Sequence, residues 1–339
     1  MRYTDIEKVI KKMYIAPGSS DKLFEIAVNR SKRAEGRGRK GLEKIKNKEI
    51  RRIEIAADYV AKTLRKIALS SPFIEELHPF YQELFSIIIN SYSYRRCLSF
   101  LYKSSRLIER ISKKYIKDII HCNEKNSILR IRKSFFGRLK SILEDLDDCM
   151  RKIRVYQLEI LKLPALNPEI SSIIIAGAPN VGKSSILKVL TRAKPEIKPY
   201  PFTTKEIIVG HIESNGKRIQ VIDTPGLLDR PLEEKNNIEK RAILAMKHFK
   251  GLLLYVFDPT ETCGFTIKYQ CSILTDIIEM FPRVEKIIIF NKMDMFDKEH
   301  INRIFLICDV IKRYNIVEIS ALKGLNIEEL KRIIHEKIK

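Results

Sequence analysis

The hydrophobic pattern of the chain changes at residues 163–168, and this change limits it to a fold with two different halves. Before it, apolar residues recur at helical spacing, as at positions 53, 57, 60, 64 and 67. After it, short apolar runs alternate with helical stretches. Pro164 and Pro168 break a helix and suit a linker. Because 339 residues are enough for two cores, we predict an all-α helical bundle over 1–163, a linker over 164–169 and an α/β domain over 170–339.

The second half predicts a six-stranded, mainly parallel sheet. Buried parallel strands are short apolar runs separated by helices, and such runs lie at 173–175, 207–212, 219–222, 252–257, 286–290 and 316–319. Asn215-Gly216 lies between Ile212 and Ile219 and is a strong hairpin signal. The second and third strands are therefore expected to be antiparallel neighbours, so that one strand opposes the rest.

The first half predicts an antiparallel bundle that begins with two small helices. Thr4 and Glu7 fit a capping box for the first helix, which ends before Pro17. A second helix follows Ser20, and residues 79 to about 121 are expected to form one long helix.

A glycine-rich motif follows the first apolar run of the second half. Residues 177–184 fit Gly-x-x-x-x-Gly-Lys-Ser/Thr, and a helix is expected over 185–192. Glycines let successive amides point at phosphate oxygens, and the helix N-terminus adds partial positive charge. A glycine-rich turn without a ligand gives the same pattern, so the motif is only moderately specific alone. The candidate phosphate-binding residues are Gly177, Ala178, Pro179, Asn180, Val181, Gly182, Lys183, Ser184 and Ser185.

Two further segments complete the predicted phosphate end. Asp223-Thr224-Pro225-Gly226 ends an apolar strand, where the carboxylate can hold Mg²⁺ with the Ser184 hydroxyl and the Gly226 amide can sense a γ-phosphate. Residues 199–205 between the motifs form a candidate segment that orders on binding, and one of its threonines can complete the metal shell. The candidates in that segment are Phe202, Thr203 and Thr204.

The base end is predicted by two more strand ends. Asn291-Lys292-Met293-Asp294 has the Asn-Lys-x-Asp pattern in which the aspartate accepts hydrogen bonds from guanine N1 and its amine. Adenine lacks these donors and would leave the carboxylate unpaired, which can discriminate by roughly 10⁴-fold. Ser320-Ala321-Leu322 is expected to place an amide near the guanine oxygen. Five motifs in this order at strand ends predict a P-loop domain that binds GTP or GDP with Mg²⁺.

Hydrolysis is harder to predict, because Leu227 follows Gly226 where a glutamine orients the attacking water in related enzymes. Lys183 and Gly226 are the catalytic candidates here. Either another group orients the water, or turnover is slow until a partner completes the site. Asn180 suggests one compensation, since the matching asparagine in several G proteins helps to hold K⁺ beside the phosphates. The alternative is that Asn180 only stabilises the loop.

The charge of +22 is unevenly distributed. Residues 1–163 carry 37 basic and 20 acidic side chains, against 27 and 22 in the remainder. A basic half predicts contact with a polyanion, of which RNA is favoured over a membrane surface. The candidate RNA-binding residues are Arg30, Lys32, Arg33, Arg37, Arg39 and Lys40, within a segment of eleven basic and three acidic residues over 30–52. A solvated helix face is the alternative, as it is for Tyr92, Tyr94, Arg95 and Arg96, which can also stack on bases.

Six scattered cysteines form no Cys-x-x-Cys pair, which disfavours disulfide and zinc frameworks. We expect small buried thiols in a reducing cytosol. No apolar run approaches the ~18 residues of a membrane helix, and the N-terminus lacks a secretory signal. These features predict a cytoplasmic protein that makes no membrane contact.

The motif residues resemble those of the OBG-type GTPases. The resemblance narrows to the nucleolar GTP-binding protein 1 family at residues 229–239 and at Cys263-Gly264-Phe265-Thr266. It covers most of 165–339 closely and 1–163 more loosely. It implies GTP hydrolysis, a role in large ribosomal subunit assembly, contact with ribosomal RNA, and Thr204 as a catalytic metal ligand. Since the chain stops at Lys339, it looks like the short archaeal type without the C-terminal extension.

Three functions remain open on these grounds. The first is an assembly GTPase, which we expect to be monomeric when free. Measuring GTP hydrolysis with and without large-subunit particles tests this function. The second is an RNA-binding placeholder that senses nucleotide with negligible turnover. The third is another OBG-type regulatory GTPase linked to translation, stress or tRNA, which the family-specific stretches disfavour.

Overall fold

The computed structural model describes residues 3–35, 41–164, 166–191, 195–198, 200, 206–214 and 216–338. They form two compact units. Residues 3–76 and 88–161 make up a helical unit, and residues 77–87 and 162–338 make up an α/β unit. Within the described ranges, six α-helices precede the first strand: α1 (Ile6–Lys12), α2 (Ser20–Lys32), α3 (Leu42–Ser70), α4 (Pro79–Ile88), α5 (Ser91–His121) and α6 (Lys125–Ile160).

The helical unit packs α2, α3, α5 and α6 against one another. Their apolar positions recur at helical spacing and are buried, which is the amphipathic pattern that the sequence predicted. Representative core residues are Ile53, Val60, Leu64, Leu101, Ile108, Leu139 and Leu146.

Two local expectations for this half are wrong. The first helix is capped by Asp5, whose carboxylate accepts from the Glu7 amide at 3.0 Å, rather than by Thr4, whose amide donates to the Glu76 carbonyl. The long helix expected over 79–121 is two helices, because the Asn90 side chain caps the start of α5 by accepting from the Ser93 amide.

The cysteine expectation is also wrong for four of the six residues. The structure joins Cys97 to Cys149 between α5 and α6, and Cys271 to Cys308 in the α/β unit. Cysteines 37 and 52 residues apart give no short-range signal, because the packing of helices alone brings them together. Cys263 is the buried thiol that the sequence predicted.

The α/β unit is built on a mixed sheet. Among the described residues it has seven strands: β1 (Ser172–Ala176), β2 (Glu196–Lys198), β3 (Ile207–Ser214), β4 (Lys217–Asp223), β5 (Gly251–Phe257), β6 (Glu285–Phe290) and β7 (Asn315–Glu318). The order is β2-β3-β4-β1-β5-β6-β7. As predicted, β3 is antiparallel to β4, and β4, β1, β5, β6 and β7 are parallel. The additional strand is β2, which was not predicted because three largely exposed residues lack an apolar run.

Every residue of β1 is buried, which indicates that both faces of the sheet are covered. The helices are α7 (Lys183–Leu190), α8 (Asn237–Ala245), α9 (Ile267–Met280), α10 (Lys298–Ile307) and α11 (Ile327–Lys337). Helix α7 packs on β1 and α11, and α9 packs on β5 and α10. Helix α7 ends at Leu190, slightly before the predicted end.

Helix α4 belongs to the α/β unit although its sequence lies in the first half. The Phe80 ring lies 4.7 Å from that of Phe249, and the Tyr81 hydroxyl donates to the Leu166 carbonyl at 2.6 Å. Glu83 pairs with Lys247 at 2.6 Å. The helical pattern of this segment gave no sign of this, and the predicted domain limits stay a prediction.

Candidate nucleotide-binding site

Five loops meet at one edge of the sheet. They follow β1, β4, β5, β6 and β7, and because these strands are parallel, their carboxyl ends lie side by side. Each of these loops contains a segment that the sequence singled out, and the loop after β5 begins at Asp258 and includes Cys263-Gly264-Phe265-Thr266.

The loop after β1 has two glycines at which any side chain would be strained. Gly177 and Gly182 have φ of 140° and 100°, in the region that favours glycine. A Cβ on Gly177 would collide with the Val256 carbonyl oxygen, and a Cβ on Gly182 would collide with the side-chain Nδ2 of Asn291. The loop is therefore wrapped closely enough against its neighbours to curl its amides inward.

Lys183 is the first residue of α7 and is almost fully buried. Its Nζ donates to the Gly177 and Ala178 carbonyls at 2.8 and 2.7 Å. The ammonium group is thus held inside the curl of the loop, beside the helix N-terminus where an anion is favoured. Ala178 and Val181 are buried beneath the loop, whereas Asn180 is exposed with φ of 61°, which asparagine tolerates.

Ser184 and Asp223 form the candidate metal ligands. The Ser184 hydroxyl donates to Asp223 Oδ2 at 2.6 Å. Asp223 Oδ1 is buried and, within the part of the chain that the structure describes, accepts no hydrogen bond. Burial raises the pKa of the Asp223 carboxyl, opposed by the bond from Ser184 and the charge of Lys183. A hydroxyl beside a buried carboxylate with an oxygen to spare fits Mg²⁺, which prefers oxygen ligands. Phe202, Thr203 and Thr204 lie outside the described residues.

The loop after β4 folds back over the glycine-rich loop. The Thr224 hydroxyl donates to the Ile175 carbonyl at 3.0 Å, and the Gly177 amide donates to the Leu228 carbonyl at 3.0 Å. Leu227 is 1% exposed, so it is a core residue that faces away from solvent. This agrees with the expectation that it does not orient water.

The Gly226 amide has a partner that the sequence reasoning missed. It donates to Asp229 Oδ2 at 2.7 Å, and Gly226 has φ of 77°. Asp229 is buried, and it also faces Lys235, whose pKa burial and the neighbouring Arg230 lower to about 8. The amide expected to sense a γ-phosphate is therefore already bonded to a carboxylate.

Asn291 joins three loops. Its buried side chain donates to the Val181 carbonyl at 2.8 Å and accepts from the Ala321 amide at 3.0 Å. Its own amide donates to the Phe257 carbonyl at 3.0 Å. One side chain thus fixes the base end of the site relative to the phosphate end. The Ala321 amide is already hydrogen-bonded to this side chain.

Lys292 is held by Asp258. Lys292 has φ of 68°, and its Nζ lies 2.6 Å from Asp258 Oδ2 and 2.8 Å from the Thr262 hydroxyl. Burial disfavours the charged form of the Asp258 carboxyl, but its hydrogen bonds from Lys292, Thr260 and Cys263 together lower its pKa. Asp258 was missed by sequence reasoning, although a lone acidic residue directly after the apolar strand β5 was the available signal.

Asp294 lies beside the loop after β7. A hydrogen bond from Ser320 lowers the pKa of its carboxyl most, with a contribution from Lys323, whose Nζ is 3.2 Å from Asp294 Oδ2. An ionised carboxylate is the form that accepts from guanine. Leu322, at the tip of that loop, is 89% exposed.

The RNA-binding candidates are only partly described. Arg30 and Lys32 lie in α2, and Arg33 caps it, whereas Arg37, Arg39 and Lys40 lie outside the described residues. Tyr94 is buried and donates to the Pro72 carbonyl, so it does not stack on a base, whereas Tyr92 is exposed.

This fold and these five loops define a P-loop GTP-binding protein. Residues 10–167 match the family model described as the NOG1 N-terminal helical domain, and residues 172–292 match that described as the 50S ribosome-binding GTPase. The chain belongs to the nucleolar GTP-binding protein 1 family.

Relatives matched by sequence support this assignment. The chain is 37% identical over 253 residues to an uncharacterized protein of Methanocaldococcus jannaschii, covering 75% of this chain and 71% of the relative. It is 30% identical over 291 residues to nucleolar GTP-binding protein 1 of Saccharomyces cerevisiae, covering 85% and 45%. A nucleolar GTP-binding protein 1 structure from Plasmodium falciparum is 36% identical with a TM-score of 0.46, covering 52% and 90%. The chain thus spans about half the length of the yeast relative.

No helix in the described ranges is both long and apolar enough to cross a membrane. Among the same residues, no group of three or more His, Cys, Asp or Glu side chains is arranged to hold a metal ion. The candidate metal site at Ser184 and Asp223 instead relies on a hydroxyl, on one carboxylate and on oxygens that a nucleotide brings.

Proposed function

We propose that this protein binds GTP, hydrolyses it to GDP and phosphate, and acts in assembly of the large ribosomal subunit. The observation that carries the proposal is Asn291, which bonds the glycine-rich loop and the loop after β7 at once. This arrangement supports a single ligand that has both a phosphate tail and a base.

Selectivity for guanine rests on Asp294. Its ionised carboxylate accepts from two donors that guanine has and adenine lacks, while the Lys292 stem covers the face of the base. An adenine in this position would lack the two donors and would place no hydrogen bond on the carboxylate. We expect GTP and GDP to be retained and ATP to be rejected.

Hydrolysis depends on charge neutralisation along the phosphates. Lys183 supplies a buried ammonium beside the β- and γ-phosphates. Ser184, Asp223 and, by the family resemblance, Thr204 would hold Mg²⁺, which would supply further positive charge there. The Gly226 amide donates to Asp229 in the structure and, when GTP binds, exchanges this carboxylate for the γ-phosphate. Because Leu227 is buried and apolar, turnover is slow until an activating partner or K⁺ near Asn180 completes the site.

The helical unit is the proposed RNA contact. Most of the excess of basic residues lies in 1–163, and the RNA-binding candidates Arg30, Lys32 and Arg33 lie at the end of α2. The names of the relatives and the matched model, which mention the nucleolus and the 50S ribosome, favour ribosomal RNA as the polyanion. We place the protein in the cytoplasm, without membrane contact and monomeric when free.

Three measurements test the proposal. Purified protein with magnesium should retain GTP and GDP in preference to ATP; failure here removes the guanine site. Steady-state hydrolysis should rise when large-subunit particles are added, whereas unchanged negligible turnover would favour the nucleotide-sensing placeholder. Crosslinking to RNA in cells should enrich large-subunit rRNA, and reads confined to tRNA would favour another translation-linked regulatory GTPase.

A further inference from the structure

An open pocket of about 340 Å³ lies in the helical unit, away from the nucleotide loops in sequence. The segment before α2 and helices α2 and α3 form its walls, with Tyr14, Arg30, Asp58, Tyr59, Lys62 and Lys66 in its lining. Its volume is at the lower end of the range for small-molecule sites, of order 300–1,000 Å³.

Two of its cations rest on tyrosine rings. Arg30 Cζ lies 4.0 Å from the centre of the Tyr59 ring, and Lys66 Nζ lies 4.6 Å from that of Tyr14. These two cation–π contacts, the only ones found over the described ranges, both line this pocket. Each ring restrains a long, flexible side chain, so less entropy is lost when the cation meets an anion.

The wall that contains Tyr14 is fixed by hydrogen bonds. The Tyr14 amide donates to the Ser70 hydroxyl at 2.8 Å, and its carbonyl accepts from the buried Gln157 side chain at 3.0 Å. Gln157 also accepts from the Ala16 amide at 2.8 Å. The segment that contains Tyr14 is irregular, but these hydrogen bonds attach it to helices α3 and α6. The position of Tyr14 is therefore fixed.

The charge of the pocket selects its occupant. Three cations, Arg30, Lys62 and Lys66, face one carboxylate, Asp58, whose Oδ2 pairs with Lys62 at 2.9 Å. Arg30 is exposed, so the face of its planar guanidinium turned away from Tyr59 offers a stacking surface. A flat group with a phosphate fits this combination, whereas an acidic peptide would use the charge and leave the stacked plane without a partner.

We propose that this pocket binds one unstacked nucleotide of single-stranded RNA, with its base on the Arg30–Tyr59 stack and its phosphate near Lys66. Unpaired bases bind proteins by stacking on aromatic side chains and on guanidinium planes. Arg30 also begins the basic segment over 30–52, whose charge favours a polyanion. The inference rests on the proposed function, because it assumes that the helical unit contacts RNA.

The test compares two double variants of the full chain. Arg30→Gln with Lys66→Gln removes both ring-bound cations, and Lys113→Gln with Lys114→Gln removes two exposed cations from α5 of the same unit. Binding of an unstructured oligouridine is measured by fluorescence anisotropy at several salt concentrations. We expect the pocket variant to bind at least about tenfold more weakly, since a stacked base contributes about 5- to 150-fold. The control should lose less than about threefold, because it removes charge without a stack.

Two further readouts separate stacking from charge. Arg30→Lys keeps the charge but not the plane, so it should weaken oligouridine while leaving an abasic backbone of equal length unaffected. Crosslinking with 4-thiouridine RNA, mapped by mass spectrometry, should label peptides that contain Tyr14 or Tyr59. GTP binding and the helical circular dichroism signal should be unchanged in every variant, which shows that both units are folded.

The outcomes separate the pocket from the proposed function. If the wild-type protein binds oligouridine and both double variants lose affinity equally, the pocket inference is wrong while the RNA-binding function stands. If the wild-type protein binds no RNA, both fall. The assignment of the pocket to RNA would be overturned if the pocket variant kept its affinity for RNA but lost affinity for free uridine monophosphate or for anionic lipid vesicles.

Discussion

Asp258 is expected to act on guanine binding without touching the nucleotide, and Asp258→Asn tests this. The substitution keeps the size of the side chain but removes the charge that holds Lys292 Nζ at 2.6 Å. The new amide group would place its own donor among the donors of Lys292, Thr262 and Cys263. Lys292 would then lose its fixed orientation over the base.

The magnitude follows from the burial of the pair. A hydrogen bond to a charged group contributes about 1.5–3 kcal/mol. The Asp258 side chain is fully buried, but that of Lys292 is 22% exposed and regains some water contact when released. We therefore take the lower end, about 1.5 kcal/mol, which corresponds to roughly tenfold weaker binding. GTP and GDP should lose affinity equally, because Lys292 acts at the base and not at the phosphates.

The assay is isothermal titration with each nucleotide in magnesium buffer, with thermal unfolding measured in parallel. Asp309→Asn is the matched control, since it removes an exposed carboxylate paired with Lys312 in the same unit and should change Kd less than about twofold. Unchanged Kd with a lower unfolding temperature would show that Asp258 only stabilises the fold. A loss confined to GTP would place its effect at the phosphates and refute the reasoning.

Three other predictions concern the γ-phosphate contact at Gly226, the K⁺ ion near Asn180 and the disulfides. Asp229→Asn should favour GTP over GDP about fivefold, because the carboxylate and the γ-phosphate need the same Gly226 amide; an unchanged ratio of Kd values contradicts this. Hydrolysis should be faster in K⁺ than in Na⁺ if Asn180 helps to hold the ion, and equal rates exclude that role. Removing the bridge between Cys97 and Cys149 by serine substitution should lower the free energy of unfolding in urea by up to about 4 kcal/mol, from closure of a loop of 52 residues. Six titratable thiols in the native protein would show that no bridge forms.

The nucleotide site was predictable because each of its motifs is local. The glycines of residues 177–184 are required by the φ angles of that loop, and Lys183 and Ser184 follow them at fixed spacing on the next helix. The parallel strands were equally predictable, because a strand buried on both faces must be a short apolar run. Once the strands are parallel, their carboxyl ends lie at one edge whatever the details of packing.

The sequence pattern could not predict which of several neighbouring residues caps a helix. Asp5 and Thr4 are both good helix caps, and the fold selected Asp5 by pairing the Thr4 amide with the Glu76 carbonyl. The helical period runs through Asn90 without a break, so only the cap geometry shows that a helix starts there.

The sequence by itself determined the class of both halves and the order of the motifs at the strand ends, because spacing along one chain sets these. Only the tertiary structure decided which distant residues meet: Asp258 with Lys292, and the tyrosines with the cations of the helical pocket. Such pairs depend on how helices and loops pack, and the energy of that packing is shared among many contacts rather than encoded in any short segment.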